Sequence, residues 1–435
     1  MTKQLIQDVR GAIEDDRDWF VSLTQDLVRI PSVNPKFGAL PELSREADVQ
    51  ALLRDTLRKD GFETEQWDVA PGRPNLVASL PGNEERSLIL LGHIDVVPTG
   101  DVSGWSVDPF GGLLKGGRIY GRGAIDMKSG LAACLAAARG INKRGVKLEG
   151  RLSIHSVVDE EAGSMGAIDA VKRGHLAAAL IVAEPTWGVV MPAEGGCEWV
   201  RVTFRGRNAH ASFRFNELLP QRPGGDRIPG VNAIEIAARF VTALSRYEHD
   251  RMRARSHPLL PPGVNTMNVG AMHGGTGLGP NGLPITVTNP AITPDTAVID
   301  VNIMFLPNET SAEIRRDFEQ FVHHFRQTDA WLRQNAPSVQ WQLSGLSFPP
   351  FDTPVDHPLV QSLVRHKSGL GAPAAVEGFV AVTDAAYYAE AGVASVIFGP
   401  SGEGLHGADE YVDVDSMVEC AKVIAASVID WCGVA

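Results

Sequence analysis

Several acid and imidazole side chains in this 435-residue chain follow directly on apolar runs that read as β-strands. His93 and Asp95 lie in GHIDVVP (92–98), where two-residue alternation puts both on one face. One can ligate a metal while the other hydrogen-bonds the remaining ring nitrogen. A strand-end histidine paired with an aspartate for stability alone fits the same pattern. Asp126, in YGRGAIDMKSG (120–130), sits where a glycine-rich turn opens onto a helix, a place that suits a capping carboxylate as well as a ligand. Glu160 and Glu161 belong to a DEE run (159–161) after RLSIHSVV. Three adjacent acids commonly form a solvated loop, but the carboxyl end of a strand is where open α/β sheets place their ligands. Glu184, in AEPT (183–186), ends another apolar strand, and His406, in LHGADEYV (405–412), follows ASVIFG after a glycine-rich loop.

Two histidines with carboxylates and no cysteine suit a catalytic zinc site, and the oxygen-rich donor set also admits cobalt or manganese. A shared carboxylate with terminal ligands on each side would hold two divalent ions, and this inventory supplies both. Two close cations lower the pKa of a bound water, so hydroxide is available near neutral pH.

The elements that must position these groups follow from the hydrophobic pattern. NLVASL (75–80), SLILLGHIDVV (87–97), RLSIHSVV (151–158) and ALIVAE (179–184) read as strands, separated by helical patterns at 127–141 and 165–174. A further helix is expected over 44–60. The alternation predicts an α/β catalytic domain, a mostly parallel sheet with helices on both faces. From about residue 197 a β-α-β-β-α-β order begins: a strand at 198–206, a helix at 231–247, a strand at 297–306, a helix at 311–334 and a strand at 338–346, with a Gly/Pro-rich passage (260–294) between. The α/β texture returns with a helix at 357–368, ASVIFG (394–399) and a last helix (415–431). The expected division is therefore 1–196 and 348–435 for the catalytic domain, with a smaller α+β domain inserted at 197–347.

A formal net charge of −12 and a pI near 5.5 argue against nucleic acid or an anionic membrane as partner. The N-terminus lacks a signal-peptide core, and no run approaches the roughly 18 apolar residues of a membrane span. Cys134, Cys197, Cys420 and Cys432 are scattered without a CxxC pair and read as reduced structural thiols, which fits a cytoplasmic location.

The stretch GHIDVVPTGDVSGWSVDPFGGLLKGGRIYGRGAIDMKSG (92–130) resembles the metallopeptidase family of aminoacylase, carboxypeptidase G, acetylornithine deacetylase and succinyl-diaminopimelate desuccinylase. VVDEEAGSMGA (157–167), EPT (184–186), GRNAHAS (206–212) and HGADEYV (406–412) match in the same order, and the resemblance covers about residues 20–430. It implies Asp126 as the bridging carboxylate, His93 and Glu184 on one ion, and Glu161 and His406 on the other. It implies Glu160 as general base, Asp95 as the residue orienting His93, and His210 as a carbonyl-polarising histidine from the inserted domain, in relatives often supplied across a dimer. A cis peptide after Asp126 and a homodimer through the inserted domain are implied in the same way.

The resemblance fails at three places. Where many relatives anchor the substrate carboxylate with an Asn, AITPD (291–295) places Ala291. Where the following strand carries an Arg, VNIMFLP (301–307) places Met304, and SGLSFPPF (344–351) has no basic residue. Either Arg214 or Arg222, in FRFNELLPQRPGGDR (213–227), takes over, or the substrate lacks that carboxylate and meets a more apolar pocket around Met304 and Phe348. A solvated loop is the plain alternative for both arginines. HGGTGLGPNG (273–282) lacks the lysine and helix of a phosphate cradle and reads as a long connection or flap. The expected activity is N-acyl amino acid deacylation, with a dipeptidase, carboxypeptidase or carboxylate-free amidase as alternatives. A scaffold protein that had lost its chemistry would lack a ligand or the base, and all are present.

Overall fold

The apolar runs SLILL, LSIHSV and ALIV lie side by side as parallel strands, buried on both faces as their unbroken hydrophobicity requires. The computed structural model describes residues 2–213, 229–285, 289–371 and 373–435. Two compact units emerge, one of Met1–Glu194 with Phe351–Ala435 and the other of Gly195–Pro350.

In the first unit the central sheet runs, from one edge, Glu63–Ala70, Arg73–Leu80, Gly150–Val157, Asn83–His93, Ala179–Val182, Ala394–Ile397, Val190–Glu194 and Phe351–Asp352. Parallel pairing holds the four central strands, while the outer pairs 63–70/73–80 and 190–194/351–352 are antiparallel. Register sets His93 opposite Val157, and Leu91 and Ile397 each opposite Val182. The carboxyl ends of four strands therefore finish along one edge.

The helix Ser129–Lys143 is buried almost all round, as its alanine-rich sequence allows, and packs against both Val414–Cys432 and the strand Asn83–His93. Gly130 permits the closest approach: a Cβ there would fall 1.9 Å from the Ala183 carbonyl oxygen, next to Glu184. Two helices the apolar pattern did not single out, Thr2–Asp15 and Arg17–Arg29, cover this unit. The first buries Ile6, Val9, Arg10 and Ile13, a spacing of i, i+3, i+4, i+7 with an arginine inside the stripe.

The second unit is an antiparallel sheet in the order Pro284–Ile285, Met267–Leu278, Thr296–Phe305, Gly196–Arg205, Ser338–Trp341, joined by the helices Ala233–Ala254 and Ser311–Gln327. Alternation buries Val200, Val202, Phe204, Val301, Ile303 and Phe305 against Ile236, Phe240, Ile314 and Phe318. Asn232 caps the first helix, and Thr310 with Glu313 forms a reciprocal capping box on the second. Two expectations are corrected here. The helix expected over 311–334 stops at Gln327, and a short one, Ala330–Gln334, restarts with Asp329 as its cap. The glycine-rich 273–282 is largely strand: Gly274 and Gly275 pair with Ala297 and Thr296, and a Cβ on Gly275 would stand 2.0 Å from the Ile285 carbonyl oxygen. No helix among the described residues is long and apolar enough to cross a membrane, and all four cysteines are buried and unpaired.

Candidate metal centre

His93 ends its strand, and its ring is fixed by the chain just beyond it. His93 Nδ1 lies 2.9 Å from the Asp95 main-chain oxygen, which can only accept, so the proton sits on Nδ1. Nε2 then presents its lone pair, 3.2 Å from Asp126 Oδ1 and 3.5 Å from Glu184 Oε1. Across Asp126, His406 Nε2 stands 3.2 Å from Oδ2 and 3.2 Å from Glu161 Oε2. The two groups His93–Asp126–Glu184 and Asp126–Glu161–His406 each bring ligand atoms within 4.8 Å of one another, and Asp126 is common to both. The Asp126–Met127 peptide bond is cis.

Asp95 orients His93 through its main-chain oxygen, its carboxylate being 3.7 Å from the ring. That carboxylate instead accepts from the Glu160 and Glu161 amides, at 3.1 and 3.2 Å, and from Asn34 Nδ2 at 2.7 Å. The DEE run is no solvated loop. Asp159 is fully buried with φ +77°, and its carboxylate takes Asn34 Nδ2 at 3.0 Å, Arg73 Nη1 at 2.9 Å and Lys36 Nζ at 2.5 Å. Arg73 in turn pairs with both oxygens of Glu46. Held from behind in this way, Glu160 and Glu161 turn toward the cavity. Replacing Asp95 by asparagine, which offers N–H where two amides need an acceptor, is expected to weaken metal binding about 10–100-fold with the fold intact. Titration of the apo protein followed by calorimetry checks this.

The turn that carries Asp126 is clamped from the far end of the chain. Glu410 Oε1 accepts from the Ile125 and Asp126 amides at 3.0 and 3.2 Å. Its Oε2 accepts from the Gly123 amide at 3.1 Å and Arg122 Nη1 at 2.5 Å. Glu410 lies four residues past His406, so one carboxylate ties together two ligand-bearing loops. Behind the site, Glu194 accepts from the Thr383 amide and hydroxyl at 3.2 and 2.8 Å, and burial pushes its carboxyl well above the usual range. Burial also pushes Asp384 up to about 7. None of these supporting groups was singled out from the sequence.

The charge balance fits divalent cations. Four carboxylates, Asp126, Glu160, Glu161 and Glu184, surround two imidazoles, so the cluster is negative in excess even with both rings protonated. Burial works against the His93 imidazolium, yet Glu184 and Asp126 outweigh it and hold it well above its ordinary value. Hydrogen bonds to Asp126 and Glu161 push His406 up to about 10. Burial together with neighbouring acids raises Glu160 and Glu184 well above the carboxylate range. Protons are drawn to the places where cations would relieve the same repulsion.

Beside the cluster is a cavity of about 250 Å³. Asp126, Glu160, Glu161, Glu184 and His406 form one side of it, and Pro185, Phe379, Ala381, Val382 and Leu405 the rest, with no Lys or Arg among the described residues that line it. The other sequence candidates lie in the second unit. His210 is exposed on a two-residue strand, opposite Ile292 and next to Ala291, whose carbonyl accepts from the Ala211 amide at 2.8 Å. Met304 is half-buried, and Met304 and Phe348 both lie opposite Cys197 in the sheet, one on each side. Arg214 and Arg222 lie outside the described residues.

An α/β unit with histidine and carboxylate ligand groups at its strand ends and a second α+β unit inserted in it is the architecture of a metal-dependent amidohydrolase. The sequence matches Peptidase family M20/M25/M40 over residues 89–430, and the chain belongs to that family. It is 30% identical to N-formyl-4-amino-5-aminomethyl-2-methylpyrimidine deformylase of Bacillus subtilis (strain 168), over 99% of this chain and 98% of that protein. It is also 30% identical to a succinyl-diaminopimelate desuccinylase of Cereibacter sphaeroides, over 93% of this chain and 96% of that protein. Among solved structures, aminopeptidase PepT from Bacillus cereus shares the fold, with a TM-score of 0.72 at 21% identity over 96% of this chain and 99% of its own.

Proposed function

We propose that the chain removes a short N-acyl group from a small amine, and that the amine carries no carboxylate for the enzyme to hold. The observation that carries this reading is the cavity at the acid and imidazole cluster, whose remaining walls, Phe379, Ala381, Val382 and Leu405, are apolar and bring no cation among the described residues. The residues at Ala291 and Met304 support it, as does the likeness to a deformylase of an N-formyl aminomethylpyrimidine. The cavity's apolar walls suit a formyl or other short acyl group on an aromatic or apolar amine.

In this reading Asp126 is shared by two ions, His93 and Glu184 complete one site, and Glu161 and His406 the other. Zinc suits the donor set, and cobalt or manganese would substitute. When bound, such a pair supplies Lewis acidity toward the carbonyl and toward water. Glu160, which belongs to neither ligand group, takes the proton of the attacking water and hands it to the departing nitrogen; its raised pKa suits a group that must do both. Water thus adds to the carbonyl carbon, the C–N bond breaks, and the products are a carboxylic acid and an amine. The family resemblance would give His210 the task of polarising the carbonyl oxygen. Exposed apolar side chains on that unit, Met272, Leu278 and Ile285, support a homodimer formed through it, and four buried thiols support a cytoplasmic setting.

Protein reloaded with zinc, cobalt or manganese is to be assayed on N-formyl and N-acetyl arylmethylamines, N-acetyl and N-succinyl amino acids, and dipeptides. Turnover concentrated on the carboxylate-free amides is the expected result. Preference for N-acyl amino acids would return the carboxylate to an arginine such as Arg214 or Arg222, and preference for dipeptides would make the chain a peptidase.

A further inference from the structure

A second cavity, of about 800 Å³, opens where the helices Thr2–Asp15 and Pro358–Ser368 meet the end of Val414–Cys432, and it shares no lining residue with the metal-centre cavity. Its charge is unlike that of the chain, which is −12 overall. Three cations, Lys3, Arg10 and Arg365, line it against one carboxylate, Asp430.

Arg10 is the unusual member. It is 9% exposed, and its Nη2 reaches only the His366 carbonyl at 3.3 Å and His366 Nδ1 at 3.5 Å. Its Nε is buried without a partner, and among the described residues it forms no ion pair. Asp430 acts on it only through space, without an ion pair, and burial outweighs that attraction and lowers the guanidinium pKa. One oxygen of that carboxylate already accepts from Arg365 Nη2 at 2.5 Å, His366 Nε2 at 2.7 Å and Ser362 Oγ at 3.1 Å. A guanidinium held in low dielectric without a direct ion pair is costly, and its planar fork of donors matches carboxylate and phosphate oxygens. Ile6, Pro358 and Trp431 add an apolar wall for the body of such a molecule.

We propose that this cavity binds a small oxyanion, a carboxylate or phosphate group seated between Arg10 and Arg365. The site is separate from the hydrolytic one, so its test does not depend on turnover. Metal-loaded protein is titrated calorimetrically with sodium phosphate and with sodium succinate at constant ionic strength. Saturable binding of at least one is expected, weakened tenfold or more by Arg10→Gln and by Arg365→Gln and unchanged by Lys115→Gln on a distant exposed strand. Phosphate alone would identify a phosphoryl ligand, and succinate alone a carboxylate. Phosphate that binds at the metal centre would bind both arginine variants equally well, so affinity unchanged in them overturns the proposal, as does no saturable binding of either anion. Because the Arg365 side chain is 60% exposed, Arg365→Gln keeps the test decisive if Arg10→Gln fails to fold.

Discussion

Glu160→Ala is expected to retain both divalent ions and to lower turnover by on the order of 10²–10⁴-fold, the usual contribution of a positioned acid–base group. The geometry separates the two effects. Glu160 lines the cavity but belongs to neither ligand group. What holds its turn in place is its main-chain amide on Asp95 and the buried Asp159 behind it, neither of which the substitution touches. Removing an acid whose charge burial disfavours relieves a desolvation cost, so the apo variant should melt no lower than the parent. Metal content by elemental analysis, kcat and thermal unfolding are the three readouts. Metal lost from a folded variant would sink the general-base role and make Glu160 a ligand.

Glu410→Ala should be the most damaging substitution outside the ligand set. It strips the acceptor from three amides, Gly123, Ile125 and Asp126, and leaves Arg122, 1% exposed, without its counter-ion. Breaking a buried ion pair by removing one partner costs about 3–5 kcal/mol, because a charge is left uncompensated. The turn that loses its anchor is the one that sets both oxygens of Asp126, so metal affinity should fall together with stability. Glu410→Gln, which keeps one acceptor oxygen, should fall between. Chemical unfolding of the apo protein and metal titration of each variant decide it. Parent-like stability and affinity in the alanine variant would show the clamp to be incidental.

The candidate ligand residues were legible because most follow a strand whose hydrophobicity is a local signal, and the family resemblance suggested their roles. His93, Glu161, Glu184 and His406 could all be placed at one sheet edge from the pattern of single runs and the rules of parallel sheets. Their supports were not legible, since each joins residues far apart in the chain. Glu410 and Gly123 are separated by 287 positions, Asn34 and Asp159 by 125, Arg73 and Asp159 by 86. A glutamate in HGADEYV carries no mark that says which backbone it will cap. The first helix was obscured for the opposite reason. Arg10 occupies its buried stripe, and a charge there breaks the periodicity by which an amphipathic helix is read. Asp95 was placed correctly beside His93, but which of its oxygens meets the ring depends on how the chain turns after the strand, and alternation does not determine that.

The catalytic unit is written in two pieces, with residues 195–350 between them. Four of the five candidate ligand residues precede that interruption, and His406 alone follows it. On a ribosome adding about 5–20 residues per second, roughly 10–40 s pass between the emergence of Glu184 and that of His406. For most of that interval one edge of Ala179–Val182 has no partner, because Ala394–Ile397 has not been made. The alanine-rich helix Ser129–Lys143 likewise waits for Val414–Cys432 to cover it. The nascent chain therefore carries an open apolar strand and an acid cluster lacking its last imidazole. A chaperone that shields sheet edges would find its client in this half-made unit, well before any metal could be held from both sides.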